Sequence, residues 1–180
     1  MVSESLCTES VSRTATAVAG PMVRLVSGGQ TGVDRAALDV ALALGLDHGG
    51  WCPRGRCAED GRIPPRYRLR ETPDARYAVR TAWNVRDADA TLILAHGPLR
   101  GGTELTRRQA LAQARRLLVV DLVRPPDPAR VAAWLAANRV AVLNVAGPRE
   151  SGRPGIHRLA FEFLMNVLRP GQRIGQPGGR

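Results

Sequence analysis

The chain has 180 residues, a net charge of +10 and 44% hydrophobic residues, enough for one domain with a core of its own. All 26 basic side chains are arginine, scattered with no zinc-finger, RNP or basic-helix pattern, so the charge favours small anions and nucleic acid is not an expected partner. Cys7, Cys52 and Cys57 make neither a disulfide framework nor a zinc set, and no apolar run approaches the roughly 18 residues of a membrane span.

Met1–Gly20, rich in Ser, Thr and Ala, lacks the basic and apolar blocks of a secretion signal; it is expected to be a flexible extension, and the protein to be cytoplasmic. Val23–Ser27 is a short apolar run that stops at Gly28-Gly29, which predicts a buried strand and a tight turn. Thr31 is placed to cap a helix running to about Leu44, with Asp34 completing a capping box and Gly45 ending the helix. Asp47 to Pro73 is dense in Gly, Pro and Arg and reads as a long irregular loop, a kind that usually serves function.

A helix is expected over about Asp74–Asp87, then a strand at Ala90–Ala95 that runs into Gly97. Thr103 is placed to cap the next helix, to about Arg115, before a strand at Leu117–Leu122. Asp127 caps a helix to Asn138 with Pro128 in its first position, Val140–Ala146 is the last strand, and Ile156–Leu168 the last helix. Pro170–Arg180 is a Gly/Pro-rich tail, expected to be flexible, so the folded unit is set at 21–169. Strands alternating with helices predict a three-layer α/β domain, a parallel sheet with helices on both faces and ligands beyond the carboxyl ends of the strands.

Three predicted strands end in loops suited to an anion. In Gly28, Gly29, Gln30, Thr31 and Gly32, glycine lets the backbone approach a ligand, and the N–H groups of the following helix favour negative charge. Arg100, Gly101, Gly102 and Thr103 repeat the pattern with a guanidinium beside it, and Gly147, Arg149 and Ser151 offer a third set. Asp34 sits awkwardly at an anion-binding helix start; it caps the helix, binds a metal or meets a ligand hydroxyl or pterin-like polar group. In the long loop, Trp51 is able to stack on a flat ring and Arg54 and Arg56 to clamp anions, with Glu59 and Asp60 nearby; the alternative is a solvated charged loop. Arg80, Asn84 and Asp87 share a helix face that looks into the crevice or out to solvent.

SGGQTGVDRAALD, GGWCPRGRCAEDGRIP, RTAWNVRDADATLIL, RGGTELT and LNVAGPRESGRPGI, in that order from Val23 to Leu168, resemble the circularly permuted YpsA-like branch of the SLOG superfamily. Members often carry the label of molybdenum carrier. The resemblance implies a Rossmann-like fold related to the LOG phosphoribohydrolases and to an algal carrier of the molybdenum cofactor, a homo-oligomer (dimer or tetramer), and ligand contacts at Gly29, Gln30, Thr31, Gly32, Arg100, Gly101, Gly102 and Thr103. The implied ligand is the molybdenum cofactor (molybdopterin) or another phosphate-bearing, nucleotide-like small molecule. LOG enzymes carry a PGGxGTxxE pattern whose glutamate works in glycosidic cleavage. With Thr103 matched to that threonine, the glutamate position holds Thr106, and Glu104 lies about 200° around the helix from it. A neutral hydroxyl is no general base at neutral pH, so the expectation is a binding protein, the alternative a nucleoside 5′-monophosphate N-glycosidase with no catalytic residue or metal assigned.

Overall fold

The computed structural model describes residues 24–169; the readings made above for Met1–Gly20, Cys7, Val23 and Pro170–Arg180 lie outside the described residues. β1 (Arg24–Val26) leads through α1 (Val33–Leu44) to β2 (His48–Gly49). Next come β3 (Trp51–Cys52), a hairpin of β4 (Cys57–Ala58) and β5 (Gly61–Arg62), and β6 (Arg70–Glu71), which returns to pair with β3. The stretch predicted as irregular loop is therefore pinned by short strand pairs, too brief for any periodicity to show. α2 (Tyr77–Arg86), β7 (Ala90–Ala95), α3 (Gly101–Ala112), β8 (Arg116–Asp121), α4 (Pro128–Ala137), β9 (Val142–Ala146) and α5 (Ile156–Leu168) complete the chain.

Five strands form one parallel sheet in the order β2-β1-β9-β7-β8. The last strand is thus inserted between the first and β7. Val26 pairs with Asn144 and Ile93 with Ala146, so the three strands end close to level. On one face, Leu25, Leu92, Leu94, Leu143 and Val145 pack against α1, α4 and α5 in a single apolar core. The alanines Ala36, Ala37, Ala41 and Ala160 are fully buried there and let α1 and α5 approach closely. α2 and α3 pack together on the opposite face, and all six residues of β7 are buried, as expected of a strand covered on both sides. β8 is an edge strand, with Val119 42% exposed.

Helix ends account for two corrections. α1 begins at Val33 with Gly32 as its N-cap at φ 74° and no side-chain cap, so Thr31 does not cap it and no capping box forms with Asp34. α3 begins at Gly101 with Arg100 as N-cap, three residues ahead of the expected cap at Thr103, and Thr103 is a buried residue of the first turn. At α1 the glycine that follows Thr31 takes the cap position, and at α3 the helix opens at the glycine pair ahead of Thr103. Gly45 ends α1 in the left-handed region, and the Asp127 carboxylate accepts from the Ala129 N–H at 2.9 Å.

Leu143 is fully buried at the middle of the sheet. Leu143→Ala is expected to lower unfolding free energy by about 2–5 kcal/mol, whereas Val119→Ser on the exposed edge should stay within about 0.5 kcal/mol; urea titrations of both variants check this.

Candidate functional site

Loops leaving β1, β9 and β7 frame a crevice of about 600 Å³ at the carboxyl edge of the sheet. Its floor includes Gln30, Asp34, Arg80 and Thr106, and its rim Arg100, Arg149, Arg153, His96 and Tyr77. Such a volume suits a small ligand.

The β1 and β9 loops are interlocked. The Val33 N–H donates to the Pro148 carbonyl at 3.2 Å, and the Ser27 hydroxyl to the Val145 carbonyl at 2.8 Å. A Cβ on Gly32 would lie 2.4 Å from the Pro148 oxygen, and one on Gly147 would lie 2.4 Å from the Leu94 oxygen and 2.5 Å from a Val33 methyl. Only glycine fits at either position. The seam also alters the anion argument. With Val33 N–H on Pro148, Gln30 N–H on the Asp34 carboxylate and Arg35 N–H on the Gln30 carbonyl, the start of α1 is largely spent on internal bonds. This loop offers the crevice side chains, Gln30 and Asp34, more than backbone amides.

The N-terminus of α3 differs. The N–H groups of Gly101 and Gly102 have no partner among the described residues, Arg100 is exposed beside them, and the space around both glycines is open. Paired amides at a helix start with an adjacent guanidinium suit a phosphate. Arg149 adds to this charge; it lies over the Tyr77 ring at 5.5 Å and does not pair with Glu150, which accepts instead from the N–H groups of Gly155 and His157. Arg153 Nε lies 2.8 Å from His96 Nδ1.

Asp34 is the one carboxylate among the described residues that line the crevice. It neither caps α1 nor stands free: Arg80 Nη1 donates to its Oδ2 at 3.1 Å, with the carboxylate side chain 5% and the guanidinium side chain 14% exposed. Burial pushes the Asp34 carboxyl above the usual carboxylate range, against the pull of Arg80 and the Gln30 N–H. Arg80 lies flat on Gly28, where a Cβ would come within 1.7 Å of Nη1.

The carboxylates around the site are occupied. Arg107 and Arg108 hold Glu104 down to about 2, outside the crevice. Thr106, at the position of the LOG glutamate, lines the crevice but donates its hydroxyl to the Gly102 carbonyl at 3.0 Å. Glu59 and Asp60 sit at the tip of the β4–β5 hairpin; Asp60 pairs with Arg35, and Glu59 accepts from the hydroxyls of Thr31 and Ser151 and from the Ser151 N–H at 3.1 Å. Thr31, Gly32, Glu59 and Ser151 line a neighbouring groove, not the crevice.

The other long-loop candidates are also directed elsewhere. Trp51 donates its indole N–H to Asp87 at 2.7 Å, packs edge-on against Trp83, and has its backbone N–H and carbonyl held by Asn84. Arg54 is exposed away from the crevice, and Arg56 donates to the carbonyls of Ile63, Pro64, Tyr67 and Leu69. Of the helix face predicted from Arg80, Asn84 and Asp87, Arg80 alone reaches the crevice. The aromatic at the rim is Tyr77, which sequence reasoning missed together with His96 and Arg153. The available signal was the spacing of Tyr77, Arg80 and Thr81, one helical face at the start of α2.

Partial burial works to raise Glu59, but the Ser151 and Thr31 hydroxyls, the Ser151 N–H and Arg149 outweigh it and leave the carboxyl below the usual range. A lowered folded value means the clamp is fully formed above the unfolded value near 4.5 and is lost as pH falls through the folded one. The Ser151 amide resonance should therefore hold its position down to about pH 4.5 and move only below it; a titration midpoint above that value would contradict the clamp.

The whole of this arrangement falls inside a match to the family model described as the circularly permutated YpsA SLOG family, which covers residues 25–168. A crystal structure from Syntrophus aciditrophicus, of a "Putative molybdenum carrier protein", superposes with a TM-score of 0.77 at 41% sequence identity, over 82% of this chain and 96% of that one. No curated protein matches the chain. The order of strands and loops, the residues matched and this neighbour agree: the chain belongs to the circularly permutated YpsA SLOG family.

Proposed function

We propose that this protein is a carrier for a phosphate-bearing, nucleotide-like ligand, with the molybdenum cofactor as the leading candidate. The observation that carries the reading is the charge of the crevice: Arg100, Arg149 and Arg153 stand at its rim, none of them in an ion pair among the described residues, while the single lining carboxylate is neutralised by Arg80. A pterin carrying a phosphate and a metal dithiolene fits such a rim, with the phosphate at Arg100, Gly101 and Gly102 and Tyr77 beside a flat ring. When bound, the group supplies the molybdenum to be delivered; the residues of this chain bind and orient it. The similarity to the Syntrophus "Putative molybdenum carrier protein" supports the same assignment.

The N-glycosidase alternative draws on Asp34, a buried crevice carboxyl whose proton affinity is raised, which is what a general acid requires. The pairing of its Oδ2 with Arg80 and the spent hydroxyl of Thr106 favour holding over cutting. Release of free base from a panel of nucleoside 5′-monophosphates would select the enzyme.

Two further features belong to the proposal. Among the described residues no helix is long and apolar enough to cross a membrane, and the thiols of Cys52 and Cys57 are free, which accords with a reducing cytoplasm. Leu111, Val119 and Val123 are exposed near the β8 edge and suit an oligomer contact, dimer or tetramer, which light scattering measures.

Saturable retention of molybdenum cofactor, read as metal and pterin co-eluting with the protein, tests the carrier reading. Arg100→Ala is expected to weaken retention by at least about tenfold, since a charge-assisted hydrogen bond contributes roughly 1.5–3 kcal/mol. Retention no better than that of an unrelated arginine-rich protein would overturn it.

A further inference from the structure

Two residues that line the floor of the crevice each carry a buried hydrogen-bond donor with no partner among the described residues. Gln30 is 5% exposed, and its Oε1 accepts from the N–H groups of Thr31 at 3.1 Å and Glu59 at 2.9 Å. An amide oxygen held by two backbone donors fixes which end of the amide is which. Nε2 is therefore the end left over, buried and without a partner among the described residues, in a side chain that lines the crevice. Arg80 repeats the pattern: Nη1 is committed to Asp34, while Nε is buried and without a partner among the described residues. The two residues are tied to one atom, since Asp34 Oδ2 accepts from the Gln30 N–H at 3.3 Å and from Arg80 Nη1 at 3.1 Å. A buried donor left unpaired is costly, and two on one floor mark the place of a ligand acceptor.

Charge then decides which acceptor. Arg80 and Asp34 cancel on the floor, while the rim carries the unpaired arginines. A second oxyanion on the floor would meet the Asp34 carboxylate; a neutral carbonyl oxygen would not, and a ring N–H beside it would find in Asp34 an acceptor. We infer that Gln30 and Arg80 form a floor that reads a ring carbonyl, so that the crevice selects phosphate-bearing ligands with a lactam edge over those with an amine in its place. This rests on the phosphate-ligand reading of the crevice.

Inosine and adenosine 5′-monophosphates share phosphate and sugar and reverse both donors and acceptors on the ring edge, so calorimetric titration of the full chain with each separates rim from floor. The inosine nucleotide is expected to bind at least about tenfold more tightly. Gln30→Glu keeps the oxygen that accepts from Thr31 and Glu59 but puts an acceptor where the donor was, and should abolish the preference; Arg100→Ala should weaken both ligands and leave the preference in place. Should Gln30→Glu fail to fold by thermal melting, Arg80→Lys, which keeps the charge opposite Asp34 but lacks Nε, should erase the preference in its stead. Equal affinities or an adenosine preference in the unmodified protein would overturn the inference and leave the phosphate reading standing, as would a preference that survives in folded Gln30→Glu. Binding of neither nucleotide would overturn both.

Discussion

The buried pair of Asp34 and Arg80 is the constraint on which the site depends. It joins the first turn of α1 to α2 across the crevice floor, with both side chains largely withdrawn from water. A buried ion pair gains little over an apolar replacement, but removing one partner strands the other and costs about 3–5 kcal/mol. The two residues are therefore retained together or lost together. Their presence explains Gly28, since any Cβ there would strike the guanidinium, and it explains the set of the Gln30 backbone, whose N–H closes on the same carboxylate oxygen. It also divides the crevice electrically. The floor is neutral, and the excess arginine charge is left at the rim, where a polyanionic group has open access.

The pair works because the sheet brings its surroundings level. Inserting β9 between β1 and β7 places the third glycine-rich loop against the first, and Gly32 and Gly147 allow the two backbones to touch. The β4–β5 hairpin then closes the outer side of the seam, with Glu59 spanning Thr31 and Ser151 and Asp60 held by Arg35. Side chains that line the crevice are thus mounted on strand ends and first helical turns braced by a second layer of hydrogen bonds, the condition for holding groups in place before a ligand arrives.

The fold was legible because its signals are local and redundant. Apolar runs such as Ala90–Ala95 and Val140–Ala146, spaced by helical segments, leave little besides a parallel three-layer sheet. The family was legible from five motifs in order. Within the site, legibility followed distance along the chain. Arg100, Gly101 and Gly102 are neighbours at one strand end and could be read together. Trp51 and Arg56 stay outside the crevice because their partners, Asp87 and Asn84 for one and four carbonyls between Ile63 and Leu69 for the other, are set by tertiary packing and leave no spacing signature. Thr31 and Thr103 read as caps because hydroxyl propensity is visible in a sequence, whereas the φ of 74° that puts Gly32, one residue after Thr31, at the cap of α1 is visible only in the backbone. Asp34 looked misplaced because its counter-charge lies 46 residues away on another helix.

The same geometry bears on why this member of the family favours binding. Glycosidic cleavage needs a carboxyl group that exchanges a proton or meets developing positive charge as the bond breaks. Glu104 is fixed as a carboxylate by two arginines on the outer side of α3, Thr106 offers a hydroxyl already turned back to its own helix, and the proton-accepting oxygen of Asp34 is shared between an arginine and a backbone amide. In the carrier reading the remaining groups, the amides of Gly101 and Gly102 and the donors of Gln30 and Arg80 left without a partner among the described residues, together with the rim arginines, would meet parts of a ligand whose charge does not change during cleavage. Interactions equally strong in the ground state and the transition state tighten a complex without speeding any step. On the proposed reading, a crevice assembled almost wholly from such interactions would turn its binding energy into retention.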